Sequence, residues 1–191
     1  MKALLSQVKQ CRLCENELPF EPNPILQVSS KSKILIVGQA PGIKTHEKSM
    51  PFNDKSGERL RAWLGVNTSQ FYNDQLFAIL PMGFCYPGRG KSGDLPPIPT
   101  CADTWRKAIL AKLTQVELTI ILGKYAIEWH LQSKAPITEL AKQWYTLLQS
   151  NKVVLPHPSP RNNLWLKKNT WFEKDVIPLL QQKIKTLINV Y

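Results

Sequence analysis

The chain has 191 residues, with 25 Lys and Arg against 14 Asp and Glu and a formal net charge of +11. Such a length suits one domain that buries roughly 70% of its unfolded surface without disulfide support, and no apolar run approaches the about 20 residues that span a bilayer. The basic excess points to a polyanionic partner, because neutralising phosphates releases counterions, but it does not choose between DNA, RNA and an acidic membrane surface.

From the N-terminus, Ala3, Leu4, Leu5 and Val8 form a short helix-like stretch that ends at Cys11-x-x-Cys14. Apolar runs of strand length then recur at Ile34–Val37, Leu76–Leu80, Leu118–Leu122 and Val153–Leu155. They are continuous rather than alternating, as expected of strands buried on both faces. Helical spacing fills the intervals. One helix is predicted from Ser56, read as an N-cap, through Leu60, Trp63 and Leu64. Another runs from Thr100, behind Pro99, through Trp105, Ile109, Leu110 and Leu113, and two more cover Tyr125–Leu131 and Ile137–Leu148. A last one, from about Trp171 to Ile188, is predicted to break at Pro178. The alternation predicts an α/β fold: a single domain over residues 1–191, a three-layer α/β/α sandwich around a four-stranded, mostly parallel sheet.

Open α/β sheets bind ligands beyond the carboxyl ends of their strands. The segments in those places are Gly38–Gly42, Pro81–Arg89, Gly123–Tyr125 and His157–Asn162, and they are expected to converge on one site. The first is a tight turn whose glycines allow close backbone approach; it is neither a Walker loop nor a dinucleotide fingerprint. In the last, Pro158 and Pro160 stiffen the chain around His157, an imidazole placed to donate to charge developing on a ligand.

Cys11, Cys14, Cys85 and Cys101 are the whole cysteine complement, the second pair separated by fifteen residues. No basic region, apolar core and cleavage site open the chain, so a reducing, cytoplasmic setting is expected and disulfides are disfavoured. A redox CxxC usually follows a strand, and none is predicted here. One four-thiolate metal site remains, and with a single CxxC knuckle an iron–sulfur cluster is preferred to zinc.

Gly38-Gln39-Ala40-Pro41-Gly42 after the first strand, paired with His157-Pro158-Ser159-Pro160-Arg161-Asn162 after the last, resembles the uracil-DNA glycosylase superfamily. The cysteine framework resembles its family 4 branch, which carries a 4Fe–4S cluster. The likeness extends from Cys11 to the helix after Asn162. It implies an enzyme of base-excision repair that flips a damaged, deaminated base from DNA and hydrolyses its N-glycosidic bond. Gln39, Ala40 and the backbone beyond would contact the base, and Phe52 would stack on it. His157 would hold the charge building on the base. The loop from Ser159 would press on the duplex, with Arg161 on phosphate and Leu164 as a wedge. Lys167 and Lys168 would hold neighbouring phosphates, while Trp165, Trp171 and Phe172 are expected in the core. The cluster on Cys11, Cys14, Cys85 and Cys101 would be structural, shaping a DNA-facing loop that carries Arg89 and Lys91.

The chain departs from the family at several places. Ala40 stands where GQDPY-type enzymes carry a water-positioning Asp. Thr45 and His46 replace the acidic pair of family 4, leaving His46 and Glu47 as candidates for that role. Pro81 replaces a base-reading Asn, and the Arg-Asn after HPSP is closer to single-strand-selective or hypoxanthine-acting relatives. Two other readings stand beside the enzyme: a non-catalytic lesion sensor with a degenerate site, and a zinc-stabilised phosphate-binding domain. In each case a monomer without membrane attachment is expected.

Overall fold

A computed structural model describes residues 1–91 and 93–188. Among the described residues six strands occur in chain order: β1 (Ile34–Val37), β2 (Phe77–Ile79), β3 (Arg89–Gly90), β4 (Gly93–Asp94), β5 (Leu118–Leu122) and β6 (Lys152–Leu155). The central sheet has the order β2-β1-β5-β6 and every pairing in it is parallel. β3 and β4 form a separate antiparallel hairpin.

The apolar runs sort by parity, because successive side chains on a strand point to opposite faces. Ile34, Ile36, Phe77, Ile79, Leu118, Ile120, Val153 and Leu155 face one helical layer, where Leu60, Trp63, Leu64, Phe172, Val176 and Leu180 meet them. Leu35, Val37, Ala78, Ile121 and Val154 face the other, against Val8, Phe84, Ile109, Ala126, Ile127 and Leu140. Burial on both sides explains why the strands are apolar throughout, and it makes the three-layer α/β/α architecture. Phe172 is fully buried, and Trp165 and Trp171 pack against the same core, as anticipated. Among the described residues no helix is long and apolar enough to cross a membrane.

Helix boundaries depart from the pattern in ways the local chemistry explains. Asp54, not Ser56, caps the helix Lys55–Leu64: its carboxylate accepts from the Gly57 amide at 2.9 Å. The predicted helix over 137–148 is two, Ile137–Lys142 and Trp144–Gln149, broken at Gln143. Pro178 does not stop its helix. A wider π-type segment, Phe172–Val176, runs directly into Ile177–Ile188, and its looser hydrogen bonding absorbs a residue with no N–H to give. A second π segment, Ala102–Arg106, follows Cys101.

Candidate active site

A cavity of about 690 Å³ opens beyond the carboxyl ends of β1, β2 and β6. Gly38–Gly42 supply one wall, Pro51, Phe52 and Asp54 a second, His157 and Ser159–Asn162 a third, and Pro81 with the hairpin residues Gly93 and Asp94 the last. Three of the four expected strand-end segments therefore contribute. Gly123–Tyr125 does not line the cavity; it leads straight into the helix Lys124–Leu131.

Past the strand ends, the Met82 and Gly83 amides donate to the Gly38 and Gln39 carbonyls at 2.8 and 2.9 Å, so the glycine turn is zipped to its neighbour. Gln39 lines the cavity, but its side-chain nitrogen also reaches across to the Leu95 carbonyl at 2.7 Å and the Asp94 carbonyl at 3.5 Å. It thereby docks the hairpin onto the turn.

Phe52 adopts a left-handed backbone with φ of 54°. A bulky residue held there is strained, and such strain persists only where its surroundings over-determine it. Here Arg61 donates to the Phe52 carbonyl at 3.2 Å, and the ring stands edge-on to Phe71 at 6.1 Å. A Cβ on Gly57 would lie 1.7 Å from the Phe52 carbonyl oxygen, so only glycine lets this loop lie on the helix.

The imidazole loop is braced by polar contacts. The Ser159 amide donates to His157 Nδ1 at 3.2 Å, and Asn162 donates to the His157 carbonyl at 2.7 Å. From the neighbouring helix, Arg59 donates to the Ser159 carbonyl and to Asn163 Oδ1, at 3.2 and 2.8 Å. An Nδ1 that accepts from a backbone amide leaves the proton of the neutral ring on Nε2, which makes that nitrogen a donor. His157 is exposed where it lines the cavity, and the protein packed behind it partly desolvates the ring. This desolvation pushes its pKa below the usual histidine value, outweighing the opposite pull of Asp54 and Asp94 and adding to that of Arg161. The ring is thus a neutral hydrogen-bond donor at neutral pH, fixed in orientation.

The structure brings together Gln39, Ala40, Phe52, His157, Ser159 and Arg161. It does not bring in His46 or Glu47. The His46 ring lies 5.2 Å from Phe20 and 6.2 Å from Tyr86, with a buried, unpartnered Nδ1, and Glu47 is exposed outside the cavity. Leu164, 72% exposed, stands in the helix Asn163–Lys168 directly after the imidazole loop, and Lys167 and Lys168 are exposed on the same helix. Asp54 and Asp94 are cavity carboxylates that the motif reading missed. Asp54 had a signal, a capping residue three positions before Gly57; Asp94 had none, since only the folded hairpin carries it there.

A second, smaller pocket is lined by all four cysteines together with Gly83, Phe84 and Trp105. The Phe84 amide donates to Cys101 Sγ and the Trp105 indole to Cys11 Sγ, each at 3.3 Å. Burial pushes the Cys101 thiol up to about 12 and Cys85 up to about 11, and raises Cys14 as well. Among the described residues no three ligand-type side chains stand close enough to hold a single ion. The sulfurs instead surround a space.

A parallel α/β sheet with a large cavity at its carboxyl end, lined by a proline-braced histidine, has the layout of an open α/β ligand-binding protein. Residues 26–181 match the family model of the uracil DNA glycosylase superfamily. The chain belongs to that superfamily, whose members act on DNA. The matched span includes Cys85 and Cys101 and begins after Cys11 and Cys14.

Proposed function

We propose that the protein is a DNA glycosylase of the iron–sulfur, family 4 type, which removes a deaminated, uracil-type base in base-excision repair. The observation that carries this reading is the His157 geometry: a neutral, oriented Nε2–H in a cavity that also holds Phe52 and the Gln39 turn. As the N-glycosidic bond breaks, its electron pair moves onto the base. A preorganised donor at the base oxygen stabilises that charge more than it stabilises the intact nucleoside, which is the requirement for catalysis. Phe52 stacks on the flipped base, with its ring backed edge-on by Phe71 of the core. Extrusion costs a few kcal/mol. Leu164 filling the vacated stack, with Arg161, Lys167 and Lys168 on the flanking phosphates, offsets it.

Pro81 bears on which base is read. It lines the cavity with a ring that offers no hydrogen bond, and its carbonyl is turned to Arg106 at 2.6 Å. The pyrimidine edge is therefore read by the glycine turn and the imidazole loop rather than from the end of β2.

Cys11, Cys14, Cys85 and Cys101 fit a 4Fe–4S cluster: four thiols around one space, two of them already accepting N–H···S hydrogen bonds of the kind that stabilise ligating sulfurs. The cluster would fasten the N-terminal segment to the 85–101 loop and supply no chemistry to the base. A single zinc ion fits this wider arrangement less well.

Oligonucleotides carrying uracil, hypoxanthine or xanthine, incubated with the purified protein and then cleaved with alkali, test the reading. Incision at one or more lesions is expected. Tight lesion binding with no incision at any of them would establish the sensor instead. Iron and acid-labile sulfide are expected in the same preparation, and stoichiometric zinc without iron would refute the cluster.

A further inference from the structure

We infer that Asp94 is the carboxylate that activates the attacking water, carried into the base cavity by the hairpin that Cys85 and Cys101 bracket. The inference rests on the glycosylase reading and adds the group that reading lacks, since Ala40 offers no proton acceptor and Glu47 and His46 stand outside the cavity. Asp54 and Asp94 are the carboxylates among the described residues that line it. They are not equivalent. Asp54 is engaged as a helix cap through the Gly57 amide. The Asp94 carboxylate has no hydrogen bond or ion pair to any described residue, and it is close enough to His157 for its charge to act on the imidazole.

Its position is set from both sides of the cavity mouth. Gln39 holds the hairpin backbone by the Asp94 and Leu95 carbonyls, which leaves the side chain of Asp94 free. A Cβ built on Gly42 would stand 3.4 Å from Asp94 Oδ2, so the carboxylate lies over the glycine turn. On the opposite side, Arg161 Nη1 lies 2.7 Å from where a Cβ on Gly93 would be. The tip of the Arg161 side chain thus reaches the hairpin from the imidazole loop. The free carboxylate thus lies at the cavity wall beside the glycine turn, within electrostatic reach of His157.

The step balances within these groups. The water oxygen bonds to the anomeric carbon, the carbon–nitrogen bond breaks, and its electron pair leaves on the base under the His157 hydrogen bond. The proton lost by the water passes to Asp94. The released base anion is protonated by solvent. A positioned general base of this kind contributes typically ~10²–10⁴-fold. The arrangement also gives the cysteine site a purpose in the reaction without chemistry of its own: the segment it fastens presents the base.

Single-turnover excision from the oligonucleotide that the wild type cleaves tests the inference, alongside DNA affinity and the visible absorbance of the cluster. Asp94→Asn is expected to slow excision at least ~10²-fold, with affinity within about twofold and absorbance unchanged. In Asp94→Ala, added formate is expected to restore part of the rate, which a merely structural role would not allow. Asp94→Asn within about threefold of wild type overturns the inference. So does a slow Asp94→Ala that formate leaves unmoved, or a loss confined to Glu47→Gln. A wild type inactive on every lesion overturns the glycosylase reading and this inference with it, whereas an active wild type matched by Asp94→Asn overturns the inference alone.

Discussion

The two pockets use opposite chemistry to prepare for their ligands. In the base cavity burial pushes His157 toward its neutral form, and a backbone amide fixes which nitrogen carries the proton. In the cysteine pocket burial pushes the thiols up to about 11 and about 12 at Cys85 and Cys101, so they hold their protons at neutral pH. One site is set by its own hydrogen bonds, and the other, on the proposed reading, would be completed by a cluster. The 85–101 segment joins them: its ends lie at the cysteine pocket, and its hairpin lines the other cavity.

If that division is right, the largest effect should come from the cysteines. Cys85→Ser or Cys101→Ser should abolish the cluster absorbance and cost about 4 kcal/mol or more, some 8–16 °C in Tm for a chain of this size. A variant that bleaches but melts with the wild type would show that the cluster does not hold the fold. Next comes the stacking ring. Phe52→Ala should weaken binding of lesion DNA by about 1–3 kcal/mol, roughly 5–150-fold, leaving the cluster intact. Equal loss for undamaged DNA would place Phe52 outside the base pocket.

A smaller effect is expected with acid. Burial, then the charges of Arg106 and Lys152, push His130 down to about 3, and His157 is lowered as well. The unfolded chain takes up protons at these rings near pH 6.5, where the folded protein does not. Stability is therefore lost as pH falls from about 6.5 towards about 3. Between pH 7 and 5, His130 alone accounts for about 2 kcal/mol at most, or about 4–8 °C in Tm. His130→Gln, which keeps an acceptor for Arg106 Nη2 (2.7 Å from His130 Nε2), should flatten that slope in melts across pH. A slope that stays unchanged would contradict the assignment. The smallest effect belongs to the outer helix. Lys167→Ala and Lys168→Ala should each reduce the salt dependence of DNA binding by about one unit of slope without altering lesion preference.

Much of this was legible in the chain itself. The strands were, because burial on both faces demands unbroken runs such as Ile34–Val37 and Leu118–Leu122. The turn at Gly38 and the loop at His157 were too, since open parallel sheets place such segments at one edge. What stayed hidden depends on contacts between distant residues. Ser56 and Asp54 are both plausible caps, and the Gly57 amide chooses Asp54. Pro178 reads as a helix breaker until the π segment before it supplies the slack. Arg106 looks like a surface cation, yet it is fully buried against the Leu80 and Pro81 carbonyls. Asp94 has no local pattern at all, because a two-residue strand in a loop leaves no periodicity to read.

On the proposed function, His157 and the Gln39 turn enclose one extruded base and ease its departure. Release of free base from lesion-bearing DNA under single turnover, wild type against His157→Ala, tests it most directly. A fall of about 10²–10³-fold is expected, with DNA affinity and cluster absorbance retained. Base release by His157→Ala within threefold of the wild-type rate would contradict it.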